Sequence, residues 1–196
     1  MDYRKEFIKE IDKIQNYDWK QKVLALVPKL PDYFWTSPAS SSGKYHPVCD
    51  LGEGGVVRHS IMVERIALDL LEAEVLFKFD PVYRDLTIIA SLFHDALKYG
   101  DNTKGRTVFD HPILAAEFLK ENLDLGSEVT NMVLYNAVAR HMGKWTTRPE
   151  EPNIVLEAPE TAFEKMIHIA DLISSKKYIG GLTEWGFITD TREENT

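Results

Sequence analysis

The chain has 196 residues, 44% hydrophobic and 28% charged, with a formal net charge of -8. That length suits one domain with a substantial core, and the acidic balance argues against a surface built to coat a polyanion, since nucleic-acid affinity comes largely from neutralised phosphates. No apolar run approaches the roughly 20 residues that span a bilayer.

The start, Met-Asp-Tyr-Arg-Lys-Glu, is too charged for a signal peptide, which predicts a cytoplasmic protein. Residues 2–16 carry Phe7, Ile8, Ile11 and Ile14 at helical spacing, and a second short helix is predicted over 18–27, before Pro28. These helices read as a cap on the core or as a contact in a homo-oligomer. From 29 to 55 the chain changes character: Pro31, Pro38 and Pro47, a run of serines and Gly-Glu-Gly-Gly predict one long loop. That loop delivers the chain to His59, so Lys44, Tyr45 and His46 are expected beside it, although an exposed loop histidine is the other reading of His46. Tyr33, Phe34 and Trp35 read as core or lid packing, or as a surface that stacks a base. The single cysteine, Cys49, excludes an internal disulfide and any Cys-rich zinc motif.

A helix over 56–79 places 59, 62, 63, 66, 67, 70 and 71 on one face, with His59 at its start. A new helix begins at Asp80-Pro81 and is predicted to run to Tyr99; its stripe of Leu86, Ile89, Ala90 and Phe93 continues into His94. Asp95 follows directly, and Lys98 one turn later, where it serves either as a charge at the helix end or as a phosphate ligand. The polar loop to Asp110, with Lys104 and Arg106, is either solvated or closes over an anion. Asp110 is a predicted N-cap with Pro112 in the first turn, and the face 111, 114, 115, 118, 119 is opened by His111. The helix over 127–142 buries Val133, Leu134, Ala137 and Val138 and runs on into His141, before Gly143 stops it. Trp145 and Arg148 follow in a long connection and are placed to frame a substrate, whereas Arg140 points about 100° away from His141. Phe163, Met166, Ile167 and Ala170 lead to Asp171, and His168 lies close to the same face, as a donor to Asp171 or as an ordinary core or surface histidine. Trp185 and Phe187 are expected to dock the tail.

Five predicted helices therefore each carry a His or Asp inward, in the order His59, His94-Asp95, His111, His141, Asp171. A lone His-Asp pair is most often a satisfied core histidine; five sites in register are not explained that way. Imidazole and carboxylate without thiolate suit Mn, Fe, Co, Ni or Mg better than structural zinc, and a carboxylate flanked by ligands on both sides can bridge two ions.

With these residues the chain resembles the HD-domain metal-dependent phosphohydrolases over about residues 30–180. The family signature of a histidine, an adjacent His-Asp, a lysine three residues on and a late aspartate looks like His59, His94-Asp95, Lys98 and Asp171, and two-metal members add histidines that match His111 and His141. Gly54-Gly55-Val-Val-Arg58-His59 resembles the approach to the first histidine in many bacterial members. The resemblance implies an all-α HD-domain helical bundle, a single domain over 1–196 with 1–28 as the N-terminal cap. It implies one or two divalent metal ions (Mn, Fe, Co, Ni or Mg), with His59, His94, Asp95 and Asp171 on the first and His111, His141 and shared Asp95 on the second. A one-ion version would leave His111 and His141 as imidazolium donors to phosphate. The implied reaction is phosphate ester or anhydride hydrolysis by a metal-activated water, with Asp95 and Lys98 catalytic and Lys44, His46, Lys98 and Arg148 binding substrate. A nucleotide or small nucleotide-derived phosphoester is the expected substrate, with no extended nucleic-acid surface and no membrane partner. The alternatives are a 3'-5' exonuclease, which the loop from Ser37 to His59 resembles, a cyclic-(di)nucleotide phosphodiesterase, a di-iron oxygenase of the same fold and a non-catalytic scaffold.

Overall fold

A computed structural model describes residues 2–41, 43, 46–74, 78–100 and 105–180. Among these there are eight α-helices and no strand; Thr147 and Val155 form an isolated bridge. The all-α expectation holds. Lys44, Tyr45, Lys104, Trp185 and Phe187 lie outside the described residues.

The N-terminal helices are α1 (Tyr3–Ile11) and α2 (Tyr17–Leu24), shorter than the predicted 2–16 and 18–27 because each is capped at both ends. Asp2 accepts from the Lys5 N–H and Asn16 from the Trp19 N–H, which satisfies orphan donors of the first turns. The turn between the two helices is held from the core: the buried Asp85 carboxylate accepts from the Gln15 and Asn16 N–H groups, both at 2.9 Å. Phe7 meets Phe34, Trp35 and Phe93 edge-on at 5.4, 5.5 and 5.6 Å, so α1 reaches the middle of the molecule. One cluster of buried side chains runs from Phe7 to Ala170.

The predicted loop over 29–55 is not loop throughout. A helix, α3 (Asp32–Thr36), buries Phe34 and Trp35, and a 3-10 turn forms at Val48–Asp50. Two aromatic side chains with a core to enter outweigh the local Pro and Ser signals. The stretch then folds back onto α4 (Gly55–Glu72): the Ala39 N–H donates to the Asp50 carbonyl at 2.9 Å and the Val56 N–H to the Ser37 carbonyl at 3.1 Å. Gly55 is required there, since a Cβ would lie 2.0 Å from the Asp50 carbonyl oxygen. Arg58 staples the same segment through the carbonyls of Cys49 (2.6 Å), Glu53 (2.7 Å) and Leu51 (3.3 Å).

Helix α4 ends at Glu72, short of the predicted Phe79, and Glu74 turns left-handed at φ 49°. Its buried face is 56, 57, 59, 60, 63, 64, 67 and 68, rotated from the predicted one because Lys13 of the N-terminal segment reaches Glu64 and lets that carboxylate enter the core. Helix α5 (Val82–Phe93) packs against α4, α7 (Glu128–Ala139), α8 (Ala162–Ser174) and α1, and is buried from Asp85 onward, as its continuous apolar sequence requires. The helix α6 (His111–Asn122) pairs with α7. Asp110 occupies the N-cap position of α6 without a side-chain cap bond. Ser127 caps α7, and Thr161 with Glu164 forms a capping box on α8.

Two helix ends differ from expectation for one shared reason. Helix α5 stops at Phe93 rather than Tyr99, and α7 at Ala139 rather than Met142. The His94 Nδ1–H takes the Ser91 carbonyl at 2.7 Å and the His141 Nδ1–H takes the Val138 carbonyl at 2.7 Å. Each ring captures a carbonyl that the next helical N–H would have used, so the chain leaves in tight turns. Lys98 therefore sits on a turn, with its carbonyl accepting from the Val108 N–H at 3.1 Å. Arg140, at the end of α7, binds Glu157 in the long connection (2.9 Å) and Glu164 (3.2 Å), bracing the start of α8.

Candidate metal centre

His59 in the first turns of α4, His94 and Asp95 at the end of α5, His111 at the start of α6, His141 just past α7 and Asp171 in α8 converge at one place. The four histidine rings are all held from behind. His111 Nδ1–H donates to the Val108 carbonyl at 2.8 Å, in the same way as His94 and His141. For His59 the holder is Ser174, whose hydroxyl donates to the Asp171 carbonyl at 2.7 Å and so has an oxygen lone pair free to accept from His59 Nδ1–H at 3.2 Å. With every Nδ1 carrying the proton, every Nε2 presents a lone pair inward.

Those lone pairs face one another. The Nε2 atoms of His59 and His94 lie 3.4 Å apart and those of His111 and His141 3.2 Å apart, with Asp171 Oδ1 3.0 Å from the His59 Nε2. Asp95 stands between the two pairs. Its Oδ2 is 3.5 Å from His94 Nε2 and 3.8 Å from His59 Nε2, and its Oδ1 is 3.2 Å from His111 Nε2. An inward set of lone pairs and carboxylates needs positive charge among its members. Lys98 supplies some by pairing with Asp95 Oδ2; His59, His94 and Asp95 on one side, with Asp171 beside His59, and Asp95, His111 and His141 on the other, are clusters whose donors could hold a metal ion.

The protonation states agree. Burial, reinforced by the neighbouring imidazoles and opposed by Asp171, lowers His59 to about 4. Burial and the charges of His94 and His111 lower His141 to about 3. Both rings are neutral, hence ligand-competent, near pH 7. Burial alone would raise the two aspartates, but the Lys98 charge and the imidazoles around Asp95 hold it well below the usual carboxylate range, and His59, His94 and His141 do the same for Asp171.

The side chain of Asp171 is 20% exposed against 1% for His59 and 3% for Asp95, so the centre opens on the Asp171 side. His46 packs its ring on His59 at 4.7 Å, and Asp50 Oδ2 lies 4.0 Å from His46 Nδ1 and 3.9 Å from His59 Nδ1. The loop thus brings His46 to the centre. Arg148 stands further out, over the Phe109 ring at 5.0 Å and paired with Glu151 at 2.8 Å. Trp145 is half-exposed, with its ring 6.0 Å from that of His168. His168 donates to the His141 carbonyl at 2.8 Å rather than to Asp171.

Ser174 and Asp50 were not among the residues singled out by pattern. The only trace of Ser174 is its place three residues after Asp171, on the same helical face. Asp50 leaves none, because a loop has no periodicity to follow.

Residues 56–175 match the family model described as HD domain, a span that takes in all six converging residues. No curated protein and no solved structure matches the chain at a significant level.

Proposed function

Because the chain belongs to the HD domain family, whose members are generally metal-dependent phosphohydrolases, we propose that it hydrolyses a phosphate ester or anhydride, with a nucleotide or small nucleotide-derived phosphoester as substrate. The observation that carries the reading is Asp95: one carboxylate with an oxygen toward each of two imidazole pairs. His59, His94 and Asp95, with Asp171 beside them, would hold one divalent ion, and His111, His141 and Asp95 a second. Bound there, such ions lower the pKa of a water and offset charge growing on phosphoryl oxygens. In the one-ion alternative His111 and His141 would instead meet phosphate as imidazolium donors, a charge that burial at His141 opposes.

The chain's own groups supply the rest. Lys98, 6% exposed and paired with Asp95, places its amino group at the centre, where it can meet a phosphoryl oxygen in the transition state. Substrate would enter past Asp171, with His46 on the His59 side of the opening and Arg148 and Trp145 further out. A net charge of -8 supports a small phosphoester over a long polyanion.

Protein loaded with Mn, Co, Ni, Mg or Fe should release phosphate or pyrophosphate from mononucleotides, cyclic dinucleotides or generic phosphate esters. Shortening of an end-labelled oligonucleotide instead would establish the exonuclease, and oxygen consumption by the iron form would establish the oxygenase. Protein that takes up no metal under any of these conditions would leave only the scaffold.

A further inference from the structure

Helix α8 carries three side chains at three-residue spacing that all serve the centre: His168, Asp171 and Ser174. Asp171 faces His59 directly. Ser174, fully buried, ties the His59 imidazole to the Asp171 backbone through a single hydroxyl. His168 holds the carbonyl of His141, and its ring fills the space over Gly143, where a Cβ would lie 2.1 Å from a ring carbon. Asp171 and Ser174 act on the His59–His94 side, and His168 acts on the His111–His141 side.

We propose that Ser174 and His168 are positioning residues that set the two cation subsites separately: Ser174 by fixing the tautomer and aim of His59, and His168 by fixing the turn that carries His141. The proposal rests on the two-ion reading above. Ser174 does this with one hydrogen bond on each side. Its proton goes to a carbonyl that can only accept, so its oxygen accepts only from His59 Nδ1, and the Nε2 lone pair stays inward. In its absence the ring can rotate or exchange tautomers, and Asp50 Oδ2, 3.9 Å away, is an alternative acceptor beyond hydrogen-bond distance. The His141 ring is held by the Val138 carbonyl of its own turn, and that turn is pinned to α8 by His168.

The test is a calorimetric titration of metal-stripped, full-length protein with Co(II), read together with the visible spectrum of bound Co(II) and the melting temperature. Wild type should take up two ions. Ser174→Ala should weaken one of them by about 10- to 100-fold, the usual cost of losing an outer partner of a metal-binding histidine, and leave the other near wild type. His168→Leu should weaken the other ion to a similar extent. In the double variant both ions should be weak, whereas two substitutions acting on one ion would leave the second at full affinity. Ser174→Thr, which keeps the hydroxyl, and His168→Asn, which keeps an N–H near the Nδ1 position, should restore affinity and the Co(II) spectrum. Wild type that binds fewer than two ions overturns the two-ion reading and this inference together. Wild type that binds two ions, with either alanine or leucine variant binding both as wild type does, or losing both equally, overturns this inference alone. Failure of the hydroxyl- and N–H-retaining variants to restore binding also overturns it, since bulk packing rather than the hydrogen bond would then be responsible.

Discussion

Lys98 is the residue whose removal separates chemistry from metal binding. Its ammonium pairs with Asp95, and it contributes no lone pair to a cation. Lys98→Met should lower kcat by about 100-fold, the scale of losing one charge-stabilising donor, with the number of bound ions unchanged by elemental analysis. Loss of the ions along with activity would mean that Lys98 holds the Asp95 carboxylate for the metals rather than serving the transition state. At this scale His59, His94, Asp95, His111, His141 and Asp171 were legible in the sequence, because each ends or opens an apolar helical stripe and a stripe has to face the core. His46 was legible only as a neighbour of His59 along the chain. Ser174 and the His168–His141 bond were not, since a hydroxyl or ring partner about 30 or more residues away has no local pattern.

Two elements can be tested by how they are held. The backbone of Pro38, Ala39 and Asp50 lies directly on the N-terminus of α4, and Gly55 is the point of contact. Gly55→Ala should cost about 1–3 kcal/mol by overpacking, because the opposing atoms are backbone and cannot rotate away; urea unfolding would read this, and an unchanged midpoint would contradict the contact. The second element is α1, joined to α4 by Lys13, which reaches both Glu10 and the fully buried Glu64. Burial pushes Glu64 up to about 7 against the pull of Lys13. Between the usual 4.5 and about 7 the folded protein holds a proton on Glu64 that the unfolded chain does not, so this group's contribution to stability falls as pH rises through that window and is flat above it. The Glu64→Gln protein should therefore match wild type near pH 4.5 and become relatively more stable by pH 8, read as the difference in melting temperature. A difference that does not change with pH would rule out the buried carboxyl as its source. Helix identities followed from periodicity; the end of α5 and that of α7 did not, because they are set by histidine rings competing for carbonyls.

At the scale of the whole molecule the cation-free centre makes folding sensitive to acid. His59 and His141 have folded values of about 4 and 3 against the usual 6.5, so below about 6.5 the unfolded chain binds protons that the folded one refuses. Metal-free protein should lose stability as pH falls from about 6.5 toward 4, and Asp95 and Asp171, held low, extend the loss at still lower pH. Saturating divalent ions should raise the melting temperature at neutral pH by mass action, and a chelator should reverse the rise. A melting temperature indifferent to both would be inconsistent with a cation site among the six converging imidazoles and carboxylates. No helix among the described residues is long and apolar enough to cross a membrane.

The sequence alone determined that the fold is helical, which faces turn inward and which imidazoles and carboxylates travel with them, because helical period and residue chemistry are local properties. Only the tertiary structure decided that the N-terminal helices enter the core, that Asp95 stands between two histidine pairs rather than beside one, and that α8 reaches behind His59 and His141. Those relations depend on the angles and distances at which separate helices cross, and packing sets these for the molecule as a whole.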